Sequence, residues 1–177
     1  MLRYNTQNDI NYKNEIMTEP PYKNGSKQKH PDIIGDIGCG VASLANIIQL
    51  TVGHEFTPKD CNDWLRNNKG YSYLALGKNC PVGQESFILW DVVARHWAYK
   101  ITNIEKNEQG LFVDYARKYN RHYIARFKYC GYDHFSNVIE SELISGEQWF
   151  EIYNVWNGEM IVLPARDITY LKEFTNC

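Results

Sequence analysis

A cysteine at position 39 stands between two glycines, in Gly38-Cys39-Gly40, where a small-residue turn runs into apolar sequence. From there Val41, Leu44, Ala45 and Ile48 recur at the spacing of one buried helix face, and Ile47 and Leu50 widen the stripe. Cys39 therefore falls in the first turn of a predicted helix. Unpaired backbone N–H groups and the positive end of the helix dipole favour a thiolate there, and the flanking glycines let a substrate backbone come close. A free cysteine is more often an inert core residue, so the reading turns on whether the chain supplies partners. A cysteine nucleophile needs a base within hydrogen-bond reach, a group that orients the base, and donors for the oxyanion formed on attack.

Five histidines could serve as the base: His30, His54, His96, His122 and His134. Only the last two fall where strands are predicted. His134 follows the turn Cys130-Gly131-Tyr132-Asp133 and opens the run Phe135-Ser136-Asn137-Val138-Ile139, from which an imidazole can project over a sheet edge. His122 also opens a strand, but its neighbour Arg121 disfavours an imidazolium, so His134 is preferred. The orienting group should lie on the next strand along, Trp149 to Asn154, which Asn154 closes. An amide there can accept from the imidazole N–H and hold its tautomer; Asp133 and Asn157 are rivals. For the oxyanion, the Cys39 N–H is one donor. A side-chain amide upstream would be the second, and both Gln7 and Gln28 are placed to supply it.

The elements that must position these residues form two halves. Residues 1–34 are polar, rich in Asn and Lys and interrupted by Pro20-Pro21 and Gly25, which predicts an irregular lead-in. After the cysteine helix, Thr57-Pro58-Lys59-Asp60 is a helix opening with a cap, a first-turn proline and an acid, and Asn67-Asn68-Lys69-Gly70 ends it. Gly77 to Gly83 reads as a loop. Apolar spacing predicts a third helix over 84–97 and a shorter fourth over 111–119. From Arg121 on, β-branched and aromatic residues alternate in short runs, 123–129, 135–140, 149–153 and 160–163, separated by Gly131, Ser145-Gly146 and Asn157-Gly158. The expected fold class is α+β: an N-terminal helical half, with the cysteine-bearing helix at its centre, packed on a C-terminal antiparallel sheet. There is no internal repeat and no low-complexity linker, so 1–177 reads as a single domain.

Composition narrows the partners. A formal charge of −2 with scattered basic residues leaves no electrostatic footprint for nucleic acid. No apolar run approaches a membrane span and the first residues lack a signal-peptide core, which predicts a cytoplasmic protein. Five cysteines, odd in number and without a CxxC pair, predict free thiols rather than a zinc site or a disulfide framework. Nothing calls for a cofactor or metal. Thirteen tyrosines and five tryptophans serve equally an aromatic core or an aromatic-lined cleft.

Three separated pieces resemble one family, the papain-like cysteine peptidases, and within it the bacterial double-glycine leader peptidases that process bacteriocins and their stand-alone relatives. They are Tyr4-Asn5-Thr6-Gln7-Asn8-Asp9, similar to that family's Tyr-x-x-Gln-x-Asp; Gly38-Cys39-Gly40-Val41-Ala42-Ser43-Leu44-Ala45, similar to its Gly-Cys-Gly-x-x-Ser-Leu-Ala; and Asp133-His134-Phe135 with Tyr153-Asn154-Val155-Trp156, similar to its Gly-His-Phe and Asp-Pro-Trp. The resemblance implies Cys39 as nucleophile, His134 as general base, Asn154 as orienting residue and Gln7 as oxyanion donor. Asn154 stands where the family more often has Asp. Asp133 replaces a glycine, and a carboxylate there would raise the histidine pKa or clamp its ring.

The resemblance implies a cysteine hydrolase that cleaves peptide or amide bonds through a thioester. Its stand-alone members point to a cell-wall peptide hydrolase of phage or bacterial origin, an endolysin-like enzyme reaching the wall by lysis or a separate export route, with peptide or peptidoglycan stem peptide as substrate. The competing expectation is a catalytically inactive module of the same fold that binds peptide or glycan in an aromatic cleft.

Overall fold

The computed structural model describes residues 3–18, 32–72, 87–115 and 120–176. Its elements follow in the order β1 (Ile16–Thr18), β2 (Asp32–Ile33), α1 (Ile34–Ile37), α2 (Cys39–Val52), α3 (Pro58–Asn67), β3 (Tyr71–Ser72), β4 (Phe87–Ile88), α4 (Trp90–Trp97), β5 (Tyr99–Ile104), β6 (Arg121–Tyr129), β7 (Tyr132–Ile144), β8 (Glu147–Asn154), β9 (Glu159–Pro164) and β10 (Ile168–Asn176). Helices precede a six-stranded antiparallel sheet of order β5-β10-β6-β7-β8-β9. The fold is α+β. No described helix is long and apolar enough to cross a membrane.

The helix α2 is the element around which the rest packs. Residues Val41 to Gln49 are all buried, so it is enclosed on every side rather than striped. An apolar helix accepts this readily, but Ser43, Asn46 and Gln49 are enclosed too, and each finds a hydrogen-bond partner as burial of a polar group demands. The entry to α2 depends on Gly38, because a Cβ there would sit 2.4 Å from the Ile34 carbonyl oxygen. A complete capping box opens α3: the Asp60 N–H donates to Thr57 Oγ1 at 3.2 Å and the Thr57 N–H to Asp60 Oδ2 at 2.9 Å.

Apolar side chains cover both faces of the sheet. On one face α2, α3 and α4 meet Ile124, Phe135 and Phe174. On the other, Phe112 and Tyr115 lie on Phe150, with ring centroids 5.6 and 5.3 Å apart. The predicted helix over 111–119 is therefore absent from 111–115, and 116–119 lie outside the described residues. Its aromatic spacing is used by a loop whose amides go to side chains instead, Leu111 N–H to Asn107 Oδ1 at 2.9 Å and Phe112 N–H to Gln148 Oε1 at 2.8 Å.

The predicted third helix begins at Trp90, because Phe87 and Ile88 pair with Tyr71 and Ser72; 84–86 lie outside the described residues. The strands β5 and β10 were not expected. β5 continues directly from α4 after Ala98, and only Tyr99-Lys100-Ile101-Thr102 alternates in it; β10 is flanked by two strands and buries even Lys172 and Glu173, so it shows no clear polar alternation. Two hairpins turn at Cys130-Gly131 and Ser145-Gly146, each pair with positive φ as a tight two-residue connection requires. Of the lead-in, 3–15 form turns and irregular chain as expected and the short β1–β2 ribbon was not foreseen; 1–2 and 19–31 lie outside the described residues.

Candidate active site

The sulfur of Cys39, at the first position of α2, meets the backbone of β7. The N–H groups of Phe135, Gly40 and Cys39 itself pull the thiol pKa down, burial pushes it up more strongly, and Asp133 adds to the upward side; the thiol ends above its ordinary value. The thiolate expected from the helix end is thus not the resting state. Helix amides are present as foreseen, but desolvation, which penalises the charged form, outweighs them.

His134 is the third residue of β7 rather than its opener, and it is buried. The register pairs Asn137 with Tyr153, so one step further along Ser136 and Asn154 oppose each other and share a face with His134. Phe135 and Asn137 point the other way, toward α2. His134 Nε2 lies 2.9 Å from Asn154 Oδ1. The same oxygen accepts the Trp156 backbone N–H at 3.0 Å. A backbone N–H can only donate, so this Asn154 atom is the carbonyl oxygen and the ring proton of His134 sits on Nε2. The neutral ring then carries its lone pair on Nδ1.

Phe127 and Tyr129 enclose that ring, each with its centroid 5.4 Å away. Burial pushes the His134 pKa down to about 4, against a smaller upward pull from Asn154. At neutral pH the site holds a neutral thiol and a neutral imidazole. Among the described residues no hydrogen bond joins the Cys39 thiol to the His134 ring: the sulfur faces the N–H of Phe135, the residue after His134, while the ring itself lies with Phe127 on the face of β7 away from α2.

Gln7 closes the arrangement from the lead-in. Its backbone N–H donates to the Val155 carbonyl at 2.7 Å, beside Asn154. Its side-chain Nε2 donates to the Gly35 carbonyl at 3.0 Å, in the turn that leads into Cys39. Gln7 therefore bridges the chain just after Asn154 and the chain just before Cys39. One N–H of its amide is committed to Gly35. Its Oε1, like Asn154 Nδ2, is buried without a hydrogen-bond partner among the described residues.

The rival residues have other duties. Asp133 pairs with Arg126 at 2.9 Å and Lys128 at 3.0 Å, which hold its carboxyl below the usual range. It projects from the face opposite His134, so it neither clamps the ring nor figures among the causes of the ring's shift, and the expected raising of the histidine is replaced by a lowering. Asn157 is an exposed turn residue bonded to Glu159. His122 is half-buried at the start of β6, opposite Phe174, and desolvation lowers its pKa. His96 stacks on Trp64 and Trp97, and His54 bonds the Glu55 carbonyl. Gln28 and His30 lie outside the described residues, as does the loop expected over 77–83.

Cys39, Cys61 and Cys130 are free thiols, and burial pushes Cys61 well up. Among the described residues no three His, Cys, Asp or Glu side chains gather into a group that could hold a metal ion. Most described aromatic rings go to the two cores, yet Tyr132 and Trp156, two residues along the chain from His134 and Asn154, are 79% and 39% exposed. Sequence reasoning missed the amides that hold the site in place. Asn46 bonds both the lead-in and Asn137 of β7, and the spacing of Ser43, Asn46 and Gln49 along an otherwise apolar helix was the available signal. No protein-family model matches the chain, and no curated protein matches it either.

Proposed function

We propose that the protein is a cysteine hydrolase of the papain-like kind, cleaving peptide or amide bonds with Cys39 as nucleophile, His134 as general base, Asn154 as its orienting residue and Gln7 as oxyanion donor. The observation that carries the reading is the double acceptance at Asn154 Oδ1, which leaves His134 Nδ1 bare on a strand whose next amide faces the Cys39 sulfur. Because both partners are neutral at rest, the proton moves only as substrate engages. The thiol gives its proton to Nδ1 while the sulfur bonds the carbonyl carbon, and the oxygen takes the negative charge. The Cys39 N–H and the second N–H of Gln7 stabilise that charge. His134 then delivers the proton to the leaving amine, a thioester remains on Cys39, and water activated by the same ring releases the acid.

The exposed rings of Tyr132 and Trp156 suit a peptide, and the reading extends to the stem peptide of peptidoglycan and a cell-wall hydrolase of endolysin type. The test is incubation of wild type and Cys39→Ala with purified peptidoglycan and with an unstructured protein, followed by mass spectrometry for new amine and carboxyl ends. New ends from wild type alone support the reading; none from either substrate overturns it. The raised Cys39 thiol favours a second reading, a silent module binding peptide or glycan. In that case a peptide or glycan would bind without new ends appearing, and Cys39→Ala would leave that binding unchanged.

A further inference from the structure

Asn46 lies seven residues beyond Cys39, about two turns along α2, with no exposed surface. Its Oδ1 accepts the Asn5 backbone N–H, and its Nδ2 donates to the Asn5 carbonyl at 3.2 Å and to Asn137 Oδ1 at 2.9 Å. Asn137 in turn donates to the Ser43 carbonyl at 2.9 Å, and Ser43 Oγ to the Phe135 carbonyl at 3.2 Å. One side chain thus grips the lead-in two residues before Gln7 and the strand β7 three residues after His134. A leucine would suit this apolar helix better on its own account, since burying an amide gains nothing unless every bond is made.

We propose that Asn46 is a positioning residue, which sets the Gln7 amide in register with His134 and Cys39; the inference rests on the hydrolase reading. The lead-in is pinned to the rest of the molecule by other hydrogen bonds as well, among them Gln7 N–H to Val155 and Gln49 Nε2 to the Arg3 carbonyl. Losing Asn46 therefore does not release it. What is lost is the bidentate clamp on the Asn5 backbone, and with it the sub-ångström placement of the oxyanion donor on which the transition state, and not the bound substrate, depends.

The test is a double-mutant cycle on whichever of the two substrates wild type cleaves, with rates expressed per folded chain, the folded fraction of each variant being read from near-UV circular dichroism. Asn46→Leu should lower kcat about 10- to 100-fold with KM within about 2-fold, and in the Gln7→Ala background it should have no further effect. Asn5→Ala should change kcat less than about 3-fold, because Asn46 holds that residue by its backbone. If Asn46→Leu fails to fold, Asn46→Ser replaces it with the same expectation. Equal losses with and without Gln7, or a risen KM at unchanged kcat, would overturn the inference and leave the hydrolase reading standing. Absence of cleavage by wild type removes both.

Discussion

Two sets of buried amides flank strand β7, and they differ in how completely they are bonded. On the α2 side, Asn46 and Asn137 use both ends of their amides. On the other side, Asn154 leaves its Nδ2 without a partner among the described residues, and Gln7 at the edge leaves its Oε1. Both sets are equally cut off from water, with all four residues no more than 3% exposed. A satisfied network specifies structure, whereas unsatisfied buried groups cost free energy that an ordinary scaffold would shed. On the proposed hydrolase reading, α2 and the inner face of β7 would hold the site, and Asn154 with Gln7 would act in it.

The largest test of that division is His134→Ala. Removing the base should lower hydrolysis about 10⁴-fold or more while the fold persists, checked by steady-state kinetics alongside circular dichroism. Next comes Gln7→Ala, which should cost about 10²- to 10³-fold in kcat but less than about 1 kcal/mol in stability, since only one neutral hydrogen bond is lost. Asn46→Ala should reverse the balance in a urea titration. It leaves the buried Asn137 amide and the half-buried Asn5 N–H without their partner, at about 2 to 4 kcal/mol. If Gln7→Ala proved the more destabilising of the two, the division would fail.

The pH response sharpens the same comparison. His134 is held neutral with its pKa lowered to about 4, against about 6.5 in an unfolded chain. Between those values the unfolded state binds more protons, so stability rises with pH across the interval. His134's contribution is fully present above about pH 6.5 and is lost as pH falls through 4, on the order of 3 kcal/mol. Urea titrations of wild type and His134→Gln from pH 7 to 4 should show that loss in wild type only. The acid limb of kcat should sit near the same low pH. In Asn154→Asp a carboxylate facing Nε2–H would favour the imidazolium and move the limb upward. The smallest effect is expected from Asp133→Asn, less than about 1 kcal/mol in stability, because its ion pairs lie in solvent, and a slight fall in the Cys39 pKa.

Much of this arrangement was legible along the chain. The Gly38-Cys39-Gly40 junction, the capping box at Thr57 and the turn pairs at 130–131 and 145–146 are local signals, each complete within a few residues. Four of the six strands of the main sheet, β6 to β9, announced themselves by alternation and separating turns. The alternation of β5 spans only Tyr99 to Thr102, directly after a helix, and β10 shows none, because the burial of a residue such as Lys172 depends on what lies across the sheet. The 111–115 segment shows the opposite failure. Its aromatic spacing suits a helix, and only the Gln148 side chain, on another strand, decides that its amides go elsewhere.

For the site, the order of the residues along the chain determined the identity of the candidates: a cysteine at a helix start, a histidine and an amide on neighbouring strands, a glutamine upstream. Their charge states belonged to the tertiary structure alone. The helix end by itself favours a thiolate, and a histidine by itself titrates near neutrality. Both expectations yield to desolvation, which is a property of everything packed around a group and is written nowhere in its own neighbourhood of the sequence.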